Sequence, residues 1–158
     1  MTPLAWLLGL FLPACGTAGA AGIPVPPPLD LAHFERPATP NAALAAPEGA
    51  GVRSDIVTPV FHVAAPRLWA AVEGIADGQP RTFRLAVDRA GMTGSWVVRS
   101  AVWNFPDVIA ARVAPRGSDD STLALYSHSL YGRSDLGVNR RRLEAWLAAV
   151  DASLSSER

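Results

Sequence analysis

The strongest constraint on the fold is an amphipathic segment near the carboxyl end of the chain. Apolar residues recur there at intervals of three and four, with charged residues between them. This spacing places the apolar side chains on one face of an α-helix. A helix with such a face is stable only when another part of the chain covers it. The face consists of Leu143, Trp146, Leu147, Val150 and Leu154.

Upstream segments predict an antiparallel sheet that covers this helix. Four runs rich in β-branched and aromatic residues are bounded by Gly, Pro, Asp or Asn. Residues 56–63 predict a fifth strand, at the edge of the sheet because Pro59 has no N–H to donate. Residues 66–78 predict a shorter amphipathic helix. The four runs are residues 82–88, 95–103, 108–113 and 121–131.

These elements predict an α+β fold. We expect about five antiparallel strands packed on the carboxy-terminal amphipathic helix and on the shorter helix, in a helix-grip-like arrangement. We also expect four large aromatic side chains to anchor the core, and a groove to open between the sheet and the last helix. The aromatic residues are Trp69, Trp96, Trp103 and Trp146.

The amino-terminal stretch predicts export to the cell envelope. Residues 1–29 carry no charged side chain, and residues 4–12 are strongly apolar. We therefore interpret residues 1–20 as a signal peptide, a lipoprotein signal or an amino-terminal membrane anchor. Residues 12–15 resemble a lipobox, which makes Cys15 a lipidation candidate. Cleavage near Ala20 would instead release a soluble periplasmic protein.

A proline- and alanine-rich stretch follows this leader. Residues 23–28 read IPVPPP, and further prolines stand at 37, 40 and 47. Proline favours extended polyproline geometry and removes backbone donors. We therefore predict a linker over residues 21–50 and a folded domain over residues 51–155.

Composition excludes several classes of site. The 14 basic and 14 acidic residues balance, so we expect no nucleic-acid partner. A single cysteine can form neither an internal disulfide nor a thiolate metal cluster. The three histidines, His33, His62 and His128, do not follow a ligand spacing. We expect no metal and no cofactor.

The segment LYSHSLY suggests weak catalytic candidates, Ser127, His128 and Ser129, and Asp107 is the acidic candidate that we group with them. A serine nucleophile needs a base within hydrogen-bond reach. Alternation along a strand, however, places His128 on the face opposite the two serines. A serine oxygen within about 3.2 Å of a His128 nitrogen would favour a hydrolase.

The turn after this strand supplies candidates for ligand binding. Asp135 or Ser134 could accept hydrogen bonds from the first turn of the last helix, and Asn139 could do so instead. Arg133 and Arg140 could bind a carboxylate or phosphate at that helix start.

Two further candidates complete the ligand-binding set. Tyr131 lies at the end of the last predicted strand, and Arg99 interrupts an apolar strand. A buried arginine needs a partner, and we expect Asp107 to pair with Arg99 across a hairpin.

The segment around these candidates is similar to the carboxy-terminal signature of the DUF1499 family. The resemblance covers roughly residues 36–152 and is strongest at SDLGVNR, residues 134–140. Residues 36–41 and the Phe105-Pro106-Asp107 turn match other elements of the family. It implies a bacterial, envelope-associated protein, often membrane-anchored, with no established biochemical role and no catalytic residues. This chain departs from the family at Ala42, where many members have cysteine, and at Tyr126 and Leu130, where arginine is common.

Together these observations lead to two main functional hypotheses; a third possibility is a purely structural interaction module, which would show an exposed apolar patch and no cavity. The first is a non-enzymatic envelope protein that binds a small amphiphile, a lipid or a partner protein through the groove beside the last helix. The alternative is a hydrolase that uses Ser127 or Ser129 with His128. In both cases we expect the protein on the periplasmic side of the envelope, attached to the membrane through its amino terminus.

Overall fold

The computed structural model describes residues 12–156, which form six strands and two α-helices. A single turn of 3-10 helix, Pro13–Cys15, precedes them. The two helices are α1 (Ala65–Gly78) and α2 (Val138–Ser156). The strands are β1 (Ala42–Pro47), β2 (Ile56–Thr58), β3 (Thr82–Asp88), β4 (Thr93–Arg99), β5 (Pro106–Pro115) and β6 (Ser121–Ser129).

The six strands form one sheet in the order β2-β1-β6-β5-β4-β3. All neighbours are antiparallel except β1 and β2, which are parallel. The predicted α+β class is confirmed, with α2 packed on the sheet and α1 beside it. The short strand β2 lies at the edge of the sheet and ends at Thr58. The next residue is Pro59, which has no N–H to donate to a neighbouring strand.

Strand β1 differs from the predicted linker over residues 21–50. Its sequence, AALAAP, has low strand propensity, yet it lies between β2 and β6. Ala43 and Ala45 face α2, and both are buried. Small side chains at these positions let the helix pack close to the sheet, so tertiary packing overrides the local preference.

The core between the sheet and the helices is filled by the side chains that the helical pattern predicts. Trp96 is fully buried, and its ring centroid lies 6.3 Å from that of Trp69 and 6.1 Å from that of Trp146. Leu143 and Val150 are buried beside them. These side chains are packed against the sheet and are buried.

Trp103 is not a core residue, contrary to the sequence prediction. It lies in the turn between β4 and β5, and 44% of its surface is exposed. Strand β4 ends at Arg99, so Trp103 lies beyond the strand, and strand alternation would in any case place it on the face opposite Trp96.

The outer face of the sheet, opposite the helices, is covered by residues 12–36, here called the amino-terminal segment. Ile23 packs with Val97 and Val108, and Leu29 packs with Ala110 and Ala124. The prolines therefore lie against the sheet and do not form a free spacer. An extended proline-rich chain can do this because it has few backbone donors to satisfy.

Within residues 12–156, no helix is both long and apolar enough to cross a bilayer. Most of the apolar stretch in the predicted leader lies outside the described residues.

Candidate functional site

The residues that carry the family resemblance meet in one polar cluster at the start of α2. Asn139 is at its centre and is completely buried. Its Nδ2 donates to the Asn41 carbonyl oxygen at 2.9 Å and to Ser129 Oγ at 3.1 Å. Its Oδ1 accepts from Ser127 Oγ at 2.5 Å and from Arg142 Nη1 at 2.6 Å. One side chain thus joins β6, the chain before β1 and α2.

Asp107 takes part in the same cluster. Arg142 Nη2 donates to Asp107 Oδ2 at 2.6 Å, and both side chains are largely buried. Arg142 also donates to Ser127 Oγ at 3.2 Å. A buried ion pair is stable when further hydrogen bonds satisfy the charged groups, as they do here. The expected pairing of Asp107 with Arg99 is therefore wrong.

Asp135 caps the last helix, as the turn sequence predicts. Its Oδ1 accepts from the Gly137 amide at 3.0 Å, and its Oδ2 accepts from the Asn139 amide at 2.7 Å. The turn requires positive φ at Leu136 (53°) and Gly137 (77°). Asn41 Nδ2 donates to the Gly132 carbonyl oxygen at 2.7 Å and fixes the loop before the cap.

The cap also decides what the helix start can bind. An external carboxylate or phosphate would need the same amides that Asp135 already occupies. Arg140 Nε donates to Glu144 at 3.0 Å on the exposed side of the helix. Arg133 is exposed in the preceding loop. The structure therefore does not assemble these arginines around free helix amides.

Arg99 is buried, and it binds the amino-terminal segment. Its guanidinium donates to the Gly19 carbonyl oxygen at 2.9 Å, to Thr17 Oγ1 at 2.9 Å and to the carbonyl oxygen of Ala14. Burial lowers the pKa of Arg99. Asn104 contributes to the same contact, since its Nδ2 donates to carbonyl oxygens of this segment.

Two more of the candidates belong to the same contact. Tyr131 binds the amino-terminal segment, and Cys15 is part of it. The Ala14 amide donates to the Tyr131 hydroxyl at 3.3 Å. Cys15 is completely buried, and burial raises the pKa of its thiol. Arg99, Tyr131 and Cys15 therefore belong to the packing of the amino-terminal segment.

The catalytic candidates do not form a nucleophile and base pair. Ser127 and Ser129 face α2 and are hydrogen-bonded to Asn139. His128 lies on the outer face, and its Nδ1 is buried with no hydrogen-bond partner. The serine–histidine hydrogen bond on which the hydrolase hypothesis depends is not formed.

The outer face instead holds a cavity of about 510 Å³ between the amino-terminal segment and strands β5 and β6. One wall is formed by three consecutive prolines, Leu29 and Phe34. The other consists of Val108, Ala110, Tyr126 and His128. Asp30, His33 and Glu35 also line it, and all three are exposed.

The aromatic side chains of this cavity are packed against one another. The Tyr126 ring meets that of Phe34 edge to face at a centroid distance of 4.9 Å, and stacks on that of His128 at 5.1 Å. Burial raises the pKa of Tyr126 and lowers that of His128, which favours the neutral form of the imidazole. We call this cavity, with its polar rim, the outer-face pocket.

Sequence reasoning identified His128 but not the rest of the outer-face pocket. Phe34 lay in the predicted linker, and Tyr126 was noted only as a departure from the family pattern. The available signal was the alternation of Ala124, Tyr126 and His128, which predicts a partly apolar outer face that some other segment must cover.

Comparisons with known proteins give a family and distant structural likenesses. A family model described as a protein of unknown function (DUF1499) matches residues 35–150. No curated protein sequence matches the chain. The crystal structure of Ara h 8.0201 is similar with a TM-score of 0.44 and 10% identity, over 62% of this chain and 94% of that one.

Proposed function

The chain belongs to the DUF1499 family of proteins of unknown function, and we propose that it is a binding module that takes a small amphiphile into the outer-face pocket. The observation that carries this proposal is an aromatic-lined cavity of about 510 Å³ in whose wall His128 has a buried Nδ1 with no hydrogen-bond partner. Ligand pockets commonly measure about 300–1,000 Å³ and combine apolar walls with a few polar groups.

The residues of the pocket indicate which end of the ligand enters. The inner walls offer prolines, Phe34 and Tyr126, which suit an apolar or aromatic body. A ligand group near His128 would meet an imidazole that is neutral and therefore suited to a neutral partner.

The rim of the pocket indicates the charge of the other end. Asp30 and Glu35 are exposed acidic residues, and no arginine lines the pocket. Burial of an anionic head beside carboxylates is unfavourable. The pocket therefore suits an amphiphile whose head is neutral or cationic.

Titration with the neutral fluorescent amphiphile N-phenyl-1-naphthylamine tests the proposal. We expect saturable binding by the full chain, and a Kd about tenfold weaker for Phe34→Ala, because a lost aromatic contact is worth roughly 1–2 kcal/mol. Phe83→Ala is the matched control, since Phe83 is a partly exposed ring outside the pocket. Equal weakening by both substitutions, or no saturable binding, would contradict the proposal.

We also propose that the protein stays in the cell envelope with its amino-terminal stretch attached as an uncleaved anchor. The contacts of Arg99 support this form. Cleavage near Ala20 would remove the acceptors at Ala14, Thr17 and Gly19 and leave the Asn104 carbonyl oxygen, at 3.3 Å, as the described acceptor of Arg99. A lipid on Cys15 would require a completely buried thiol to leave the fold.

Intact-mass analysis of the protein from membrane and soluble fractions distinguishes the three processed forms. We expect the full-length mass in the membrane fraction. A chain that begins after Ala20, or a diacylglycerol adduct on a chain that begins at Cys15, would overturn the uncleaved form.

A further inference from the structure

We propose that one end of the sheet docks directly on a lipid bilayer. This surface, here called the docking end, is separate from the outer-face pocket and rests on the proposed membrane location of the amino terminus. It includes five large apolar residues that are exposed: Phe83, Val102, Trp103, Leu136 and Val138.

Strand register brings these residues to the same end. Phe83 pairs with Val97 near the end of β4, and Trp103 lies in the turn from β4 to β5. Asp107, at the start of β5, pairs with Ser129, the last residue of β6. The loop from β6 to α2, with Leu136, therefore leaves the sheet beside that turn.

Exposure on this scale is unusual for such side chains away from an interface. Leu136 is 85% exposed and Val102 is 55% exposed. Leu136 also has φ of 53°, a left-handed conformation that is unfavourable for a branched side chain and that holds it outward. Contiguous exposed apolar residues commonly mark contact with a membrane or a protein.

The opposite end of the sheet has the reverse character. The turn between β3 and β4 carries Arg89, and the turn between β5 and β6 carries Arg116, Asp119 and Asp120. The exposed aromatic rings are thus at one end of the sheet, and this group of charges is at the other, here called the charged end.

The amino-terminal segment identifies the surface as lipid. The apolar stretch of residues 4–12 ends at Leu12. The Leu12 carbonyl oxygen accepts a hydrogen bond from the Cys15 amide at 2.8 Å, so the described fold begins directly where the apolar stretch ends. Arg99 and Asn104 hold residues 14–19 at the docking end. A membrane that receives the apolar stretch would thus lie against this end of the sheet.

The charges around the docking end fit an anionic bilayer. Arg133 and Arg141 are exposed in or beside the loop that carries Leu136. The nearby Asp135 directs its carboxylate to helix amides. Exposed arginines near a bilayer are attracted to acidic headgroups, and tryptophan is enriched at the interface.

Tryptophan quenching by brominated lipid tests the contact in the full chain. The protein is reconstituted in vesicles of phosphatidylcholine with phosphatidylglycerol, in a Trp6→Phe background that removes the tryptophan of the leader. Trp69, Trp96 and Trp146 are buried in the core and serve as internal references. Flotation of the vesicles reports separately whether the amino terminus anchors the chain.

We expect brominated lipid to quench the emission of Trp103 and of no other tryptophan. The emission of Trp103 is measured as the difference between the spectra with and without Trp103→Phe. The matched control adds Val57→Trp to the Trp6→Phe, Trp103→Phe background, because Val57 is an exposed apolar residue on edge strand β2. The emission of the introduced tryptophan should be the same in vesicles with and without brominated lipid.

Two results would overturn the docking end, and they are distinguishable. If the chain floats with the vesicles but Trp103 emission is unchanged by bromine, the anchor stands and the docking end is wrong. This result would indicate that a partner protein, and not lipid, covers these residues. If the chain does not float, the anchor and the docking end are both wrong.

Discussion

At the scale of single residues, Asn139 explains why the signature sequence has its form. Its side chain makes four hydrogen bonds, the number that an amide can make, and none of them is to solvent. An aspartate could not donate to the Asn41 carbonyl oxygen, and a leucine would leave Arg142 with fewer acceptors. The residue therefore has an architectural role in the polar cluster.

Replacement of Asn139 tests this role. We expect Asn139→Ala to lower the free energy of unfolding by about 3 kcal/mol, because several buried groups lose their partners. Ser134→Ala, which removes only a 3.4 Å bond on the exposed loop, should change it by less than about 0.5 kcal/mol. Urea unfolding measures both. Similar effects of the two substitutions would contradict the role of Asn139.

His128 gives a prediction on pH. Its folded pKa is lowered by burial, with a smaller opposing effect of Asp107, from an ordinary value of 6.5. The unfolded chain therefore binds the proton more readily than the folded one. The stability that comes from neutral His128 is present above pH 6.5 and is lost as pH falls through the lower folded value.

We expect the stability difference between wild type and His128→Gln to vary over this pH range, and the NMR titration of His128 to give a pKa below 6.5. A midpoint at or above 6.5 would show that the imidazole is not buried as described.

Among single residues, the sequence predicted the contacts that are local and missed those that depend on the fold. Asp135 was identified as a cap because its partners lie two and four residues away. Asp107 could not be assigned to Arg142, since that pair joins a strand to a helix 35 residues later. Strand alternation alone cannot say which helix covers a buried carboxylate.

At the scale of elements, α2 follows directly from the hydrophobic period. Leu143 is fully buried, whereas Leu136, seven residues earlier in the preceding loop, is 85% exposed. The two side chains are chemically identical but lie in opposite environments, so they make a matched pair for testing the helix face.

We expect Leu143→Ala to lower the free energy of unfolding by about 3 kcal/mol, as large-to-small substitutions in cores do. Leu136→Ala should cost less than about 0.5 kcal/mol. Denaturant unfolding with a fixed m-value measures the pair. A large effect at Leu136, or a small one at Leu143, would contradict the assigned face of α2.

The amino-terminal segment is the element that sequence patterns predict least. Its prolines and alanines have no period, and its attachment depends on Arg99, 80 residues from Gly19. Strand β1 was missed for a related reason, since alanine signals neither strand nor burial. In both cases the neighbouring strands provide the stabilising contacts, and no local rule contains that information.

Replacement of Arg99 tests how the segment is attached. We expect Arg99→Met to raise hydrogen exchange in residues 14–20 while β5 and β6 keep their protection, because the carbonyl oxygens of Ala14 and Gly19 lose their donor. Arg116→Met, at the charged end of the sheet, is the control. Unchanged exchange near Gly19 would show that the segment is held in another way.

At the scale of the whole molecule, both faces of the sheet are covered, by unlike layers. The helices fill their side with interlocking aromatic and aliphatic side chains. The amino-terminal segment is extended and proline-rich, so it spans the outer face without filling it, and the outer-face pocket lies beneath it. The class of fold was predictable because it follows from the hydrophobic period. The pocket was not, because it lies under a segment without one.

The most direct test is the NMR spectrum of the full chain with and without N-phenyl-1-naphthylamine. The account predicts nuclear Overhauser contacts between the rings of Phe34 and Tyr126 in the free protein, and resonance shifts on addition of the amphiphile in residues 26–35, 108–110 and 126–128. Absence of contact between the two rings, or shifts confined to α2, would contradict it.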